Sequence, residues 1–260
     1  MKKNREIKLM AHLVAGFPSF EDSYTIARAL RDGGAHYLEV QFPFSDPSAD
    51  GKPIQAACST ALSGGIRVKD GFRLVEKIRS TSDIPVFIMS YGNLLYTMGV
   101  KRFAARAAEA GAEGIIAPDL MPGSDEGLYR IGRESGVAVV PVITPHVSKQ
   151  RLELILAEQP RYMYCALRSG ITGDATRVGP ENISFLEKIR QSGSVVMAGF
   201  GIQSSRQIDD LAPHADVAIA GSVFVREIRE IIQRGPEKLS DELYHGIRKK
   251  TAGLLGIPAL

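Results

Sequence analysis

Ser194-Val195-Val196-Met197-Ala198-Gly199-Phe200-Gly201 and, further on, Asp216-Val217-Ala218-Ile219-Ala220-Gly221-Ser222 share one pattern: a short apolar run that ends on glycine. A run this short, bounded by turn residues, reads as a buried parallel strand. Backbone N–H groups exposed at such a glycine turn can cradle a phosphate. Working back along the chain, comparable runs lie at Lys8–Ala15, His36–Gln41, Ile84–Ser90, Gly114–Pro118, Val137–Ile143 and Tyr162–Leu167. The intervening segments have helical spacing. Ile26, Ala27 and Leu30 share one face, as do Phe103, Ala107 and Ala110, and a last helix from about Pro236 aligns Leu239, Leu243 and Ile247. Ser19-Phe20-Glu21-Asp22 is a capping-box start, and Pro236 is placed as a first-turn proline. Gly33-Gly34, Gly111, Gly136 and Gly193 stand where helices must stop and turn back.

Eight strand–helix alternations predict a single (β/α)8 TIM barrel spanning residues 1–260, an α/β fold. The rival is a doubly wound open sheet, which usually carries its glycine fingerprint after the first strand. Here that turn is Ala15-Gly16-Phe17-Pro18, and the glycine-rich turns follow strands six, seven and eight instead. No linker or low-complexity stretch divides the chain.

The 260 residues are ample for a core, and 44% apolar content argues against disorder. Thirty-two Lys and Arg against 29 Asp and Glu leave +3, too mild a balance to suggest nucleic acid. No run approaches ~18 apolar residues, so no membrane span is expected. Cys58 and Cys165 cannot build a disulfide scaffold. The charged start Met1–Glu6 precedes a short apolar run without a cleavage pattern, which reads as a strand and not a signal peptide. The expected location is cytoplasmic.

Barrel chemistry lies at the C-terminal strand ends. In the second strand Tyr37, Glu39 and Gln41 share one side. A glutamate in an apolar strand is costly to ionise without partners, which makes Glu39 a candidate acid–base group. It could equally pair with an arginine or face a helix. The following loop, Phe42 to Gly51, carries Asp46 and Asp50. Asp50 precedes a helical segment, Pro53–Leu62, so capping is its plain structural reading. Phe42 and Phe44 read as a substrate wall or a partner surface. Glycine turns at Arg168–Asp174, Gly199–Ser204 and Gly221-Ser222, the last entering a short helix Val223–Ile228, together point to a phosphate-bearing substrate. The five histidines show no metal-ligand spacing, so no metal is expected. There is no Gly-x-Ser-x-Gly elbow, and strands two to eight contain no Schiff-base lysine. Acid–base chemistry on a phosphorylated small molecule remains.

Leu38-Glu39-Val40-x-x-Pro43-Phe44-Ser45-Asp46-Pro47-x-Ala49-Asp50-Gly51-x-x-Ile54-Gln55 closely resembles the signature of the tryptophan synthase alpha subunit family. Gly16-Phe17-Pro18, Tyr91-x-Asn93, Pro118-Asp119-Leu120, Gly170-x-Thr172-Gly173, Gly199-Phe200-Gly201 and Gly221-Ser222 follow in the family's order, over nearly the whole chain. The resemblance implies retro-aldol cleavage of indole-3-glycerol phosphate to indole and glyceraldehyde 3-phosphate. It implies Glu39 as general acid/base and Asp50 as acceptor of the indole N–H. Tyr91, Ile116, Pro118, Ile143, Tyr164, Thr172 and Phe200 would line the substrate, and Gly173, Gly201, Gly221 and Ser222 would hold the phosphate. It further implies an α2β2 partnership with a beta subunit touched by Pro43, Phe44, Asp46 and Asn93. Pyridoxal phosphate is expected only in that partner, and no cofactor in this chain. The absence of Trp suits an enzyme of tryptophan synthesis.

The chain departs from the pattern at Gln41, normally glycine, and at Ser48, His12, Val14 and Lys52; the family's N-terminal helix is short or absent. Gln41 is expected to crowd Glu39 or hydrogen-bond it. The segment Arg168–Pro180, with its three glycines, is expected to close over substrate. The loop Phe44–Asp50 is expected to link partner contact to catalysis. Two other readings stay open: a standalone lyase releasing free indole, and a catalytically weakened allosteric partner.

Overall fold

The computed structural model describes residues 7–167, 178–199 and 201–258. Nine strands form one parallel sheet: β1 (Lys8–Val14), β2 (Tyr37–Gln41), β3 (Val86–Met89), β4 (Gly114–Ile116), β5 (Ala138–Val140), β6 (Val142–Ile143), β7 (Tyr162–Ala166), β8 (Val195–Gly199) and β9 (Val217–Ala220). Their order is β5-β4-β3-β2-β1-β9-β8-β7-β6. The expected run Val137–Ile143 is split into β5 and β6 at Pro141, which has no N–H to give to a ladder. β5 pairs with β4 and β6 with β7. The Pro141 carbonyl still accepts from the Tyr164 N–H at 2.9 Å. Both ends of the sheet therefore meet in one stretch of chain, and the ring is a nearly closed TIM barrel, as the alternation predicts.

Eleven helices among the described residues surround it: α1 (Phe20–Asp32), α2 (Lys52–Ser63), α3 (Val68–Arg79), α4 (Gly92–Met98), α5 (Val100–Glu109), α6 (Leu128–Ser135), α7 (Lys149–Ala157), α8 (Pro180–Arg190), α9 (Ser205–Leu211), α10 (Ser222–Gln233) and α11 (Leu239–Leu254). None is long and apolar enough to cross a membrane. The predicted faces are the buried ones: Ile26, Ala27 and Leu30 on α1, Leu243 and Ile247 on α11. The Ser19 hydroxyl accepts from the Asp22 N–H and caps α1. Gly34, Gly111, Gly136 and Gly193 take positive φ and end their helices as expected. Two boundaries differ. The last helix starts at Leu239 behind Lys238, so Pro236 lies in the preceding turn and not in the first helical turn. The helix after β9 runs on to Gln233 because Ile228 and Ile231 continue its buried stripe.

Alternation along the strands makes two apolar layers. One lies between ring and helices. The other fills the barrel with Met10, Phe87, Met89, Ile116, Val140, Tyr162, Met197, Val217 and Ile219. Large methionine and aromatic side chains plug the lower interior, so the polar groups of the same inward face gather above them.

Candidate functional site

Glu39 sits on the inward face of β2, only 4% exposed, and β1 sets His12 directly beside it in register. His12 Nδ1 and Glu39 Oε2 are 3.0 Å apart. The glutamate therefore pairs with an imidazole, not with an arginine, and it does not face a helix. A buried carboxylate needs such a partner to carry charge. The other ring nitrogen, His12 Nε2, is buried with no hydrogen-bond partner among the described residues.

Asp50 is also buried, and its carboxylate does not cap α2: Gly51 is the N-cap, with no side-chain bond to the helix. Asp50 Oδ2 instead accepts from Gln41 Nε2 and from the Tyr91 hydroxyl, each at 2.8 Å. The Tyr91 hydroxyl in turn accepts from the Ala49 N–H at 3.1 Å. Gln41 thus reaches forward to Asp50, contrary to the expectation that it would crowd or bond Glu39. It occupies the space between strand and loop and fixes the loop carboxylate. Burial raises the Asp50 pKa, opposed by the charge of His12 and by the hydrogen bonds from Tyr91 and Gln41; the Glu39 charge adds to the rise. Burial, then the Asp50 charge and hydrogen bond, push the Tyr91 phenol well up, so it stays a donor. Tyr164, inward on β7, is raised by burial and by the charges of both Glu39 and Asp50, which marks it as facing the same pair. Gly199 has no room for a side chain because the Tyr164 ring lies against it: a Cβ there would come within 2.6 Å of the ring and hydroxyl. That close approach explains this glycine without any special turn.

Among the expected lining residues, Ile116 ends β4 inside the barrel and Pro118 follows it half-buried. Ile143 does not line the interior. It belongs to the layer between ring and helices, opposite Cys165, while Val142, opposite Tyr164, faces inward. A one-residue difference in strand parity exchanges the two. Phe42 is likewise neither substrate wall nor partner surface: it is fully buried against Phe72 and Phe103, and Gly71 leaves it room. Phe44 stacks on Tyr91 at 5.3 Å and stays half-exposed. Pro43 is buried, whereas Asp46 and Asn93 are exposed. The Asp119 carboxylate accepts from the Gly92 N–H and so anchors α4, the helix that begins beside Tyr91.

Beyond β1 from Glu39, in the turns after β8 and β9, Gly201 adopts φ +64°, and Gly221 is the N-cap of α10, with Ser222 its buried first residue. A helix start with free N–H groups is a suitable seat for an anion. Thr172, Gly173 and Phe200, with the rest of 168–177, lie outside the described residues. Sequence reasoning missed His12 and Val142. The signal for His12 was its parity with Met10, which sets a second polar side chain on the inward face one strand from Glu39. Among the described residues no group of three His, Cys, Asp or Glu could hold a metal ion.

Residues 1–252 match the family model described as tryptophan synthase alpha chain. The tryptophan synthase alpha chain of Helicobacter hepaticus is 37% identical over 257 residues, 96% of each chain. That of Methanothermobacter thermautotrophicus is 37% identical, covering 82% of this chain and 80% of its own. Among solved structures, one of the tryptophan synthase α2β2 complex from Pyrococcus furiosus superposes with a TM-score of 0.86 at 29% identity, over 97% of this chain and 99% of the other. Mycobacterium tuberculosis tryptophan synthase gives 0.85 at 30% identity, over 97% and 92%.

Proposed function

The chain belongs to the tryptophan synthase alpha chain family, and on that premise we propose that it cleaves indole-3-glycerol phosphate to indole and glyceraldehyde 3-phosphate. The observation that carries the reading is the convergence of two buried, separately partnered carboxylates above the barrel plug, two strands from a helix N-terminus. Glu39, as the acid, gives its proton to indole C3. The ring becomes cationic, and Asp50, accepting from the indole N–H, stabilises that charge where water is excluded. The bond from C3 to the glycerol arm then breaks; its electron pair returns to the ring, and the arm's hydroxyl proton leaves as the aldehyde forms. Glu39, now ionised, is the base that recovers a proton, so the site is restored. Gly201, Gly221 and Ser222 hold the phosphate, with Gly173 as the remaining candidate. Ile116, Pro118, Tyr91, Tyr164 and Val142 surround the indole, together with Thr172 and Phe200 as candidates from the sequence.

The complex named for the Pyrococcus relative supports a partner here too. In this reading indole passes to a pyridoxal-phosphate-bearing beta chain of an α2β2 assembly, docked against the half-exposed Phe44 and the exposed Asp46 and Asn93. Indole release by the purified chain tests the proposal. Glu39→Gln should fold normally and lose about 10²–10⁴ in rate, the worth of one acid–base group. Near-normal turnover in the folded variant would remove Glu39 from the mechanism. Titrating a cognate beta chain tests the partner: an assembly should form and indole release should rise.

A further inference from the structure

His12 is an inward, buried polar residue, in contact with Glu39, to which this mechanism gives no task. Its ring spans β1 between its two sheet neighbours. On one side Nδ1 meets Glu39 Oε2 at 3.0 Å, and on the other the ring lies against Gly221. A Cβ on Gly221 would be 3.4 Å from His12 Cβ and 3.7 Å from Cδ2. Nε2 is bonded to Cδ2, so the nitrogen that has no partner among the described residues belongs to the edge of the ring turned away from Nδ1 and Glu39.

A buried ring nitrogen left unpaired is costly, and native interiors rarely carry one without a purpose. With Glu39 carrying the proton that the mechanism asks of an acid, its O–H donates to His12 Nδ1 across the 3.0 Å contact. The ring's one hydrogen is then on Nε2, where it can donate.

Resting on the reading above, we propose that His12 bridges the two halves of the site: Nδ1 positions Glu39, and Nε2–H donates to an oxygen of the substrate's phosphoglycerol arm. The nearby N–H groups of α10 bind the same arm, so the histidine couples seating of the anionic arm to orientation of the acid. It acts on the chemistry through Glu39 and is there a positioning residue; toward the arm it is a binding residue that discriminates for an anionic, hydroxylated chain.

Asn and Gln side chains separate the two roles, because an asparagine amide overlays the Nδ1 position and a glutamine amide the Nε2 position. His12→Asn, His12→Gln and His12→Phe are compared with wild type for kcat and KM on indole-3-glycerol phosphate and for binding of glycerol 3-phosphate by calorimetry. His12→Asn should keep kcat within a few-fold but weaken glycerol 3-phosphate and raise KM by about tenfold, the weight of one charge-assisted hydrogen bond. His12→Gln should show the reverse split, and His12→Phe should lose both. Wild-type glycerol 3-phosphate affinity in His12→Asn, or unchanged kcat in His12→Gln, overturns the bridge. Should His12→Phe fail to fold, the Asn and Gln pair decides alone. Failure of the wild-type chain to release indole would count against the proposed reaction, whereas the glycerol 3-phosphate arm still reads His12 directly.

Discussion

Tyr91→Phe removes one oxygen and leaves the ring that stacks on Phe44, so its cost is confined to hydrogen bonding. Two bonds are lost. One is the 2.8 Å donation to Asp50 Oδ2, a bond to a charged acceptor, worth about 1.5–3 kcal/mol. The other is the 3.1 Å donation from the Ala49 N–H, worth about 0.5–1.5 kcal/mol, of which water at the exposed Ala49 restores a large part. Gln41 remains on Asp50, so the carboxylate is left half-partnered and not stranded. The expected net loss is about 2–3 kcal/mol at pH 8. It should shrink to about 1 kcal/mol on the acid side of Asp50's raised midpoint, where the acceptor is neutral and the bond ordinary. Tyr91 does not itself titrate in this window, since its phenol is pushed well up. Urea unfolding of both proteins at the two pH values measures the difference, and indole release should fall in parallel as Asp50 loses its fixed position. A loss under about 0.5 kcal/mol at pH 8, or the same loss at both pH values, would refute the idea that Tyr91 holds an ionised Asp50.

Asp50→Asn should be more heat-stable than wild type at pH 8 while losing cleavage. The folded carboxyl has a raised pKa, so its favourable contribution is complete below the unfolded value and is lost as pH rises through the folded midpoint. The melting advantage should therefore vanish in acid; a wild type more stable than Asp50→Asn at pH 8 contradicts the sign. Gly221→Asp should raise KM at least about tenfold with little change in melting temperature, because the first added carbon meets only ordinary contact with His12 and the new charge is what repels phosphate. Unchanged KM in the folded variant would move the phosphate off this helix start.

The barrel was legible because its information is local: apolar runs, glycine stops and the Ser19 cap each act within a few residues. Glu39 and Asp50 were legible as residues but not as an arrangement. Asp50 looked like a cap because Asp-Gly before a helix commonly is one, and only the distance from β2 to the loop tip lets Gln41 and Tyr91 claim the carboxylate. Phe42 looked like a loop residue at the mouth. Its N–H nevertheless bonds the Met89 carbonyl, which carries the strand's alternation one residue further and turns the ring outward to Phe72 and Phe103. Ile143 was expected to line the pocket, but Pro141 leaves the strand run without a clear frame, and the register sets Ile143 opposite Cys165. The His12–Glu39 bond required the β1–β2 register, a long-range quantity that no spacing within either strand contains.

The break at Pro141 also bears on how the protein behaves among its own copies. An open sheet has two terminal strands, and each offers a row of unmet N–H and C=O groups on which another chain can build. Here the two termini of the hydrogen-bonded order are β5 and β6, three and two residues long, adjacent in sequence and turned toward each other in the ring. The residue between them has no N–H to offer a stranger, and its carbonyl is already taken by Tyr164. Among the described residues the discontinuity in the ring is thus too short and too well occupied to template growth, and the parallel sheet they form gives aggregation no edge to start from.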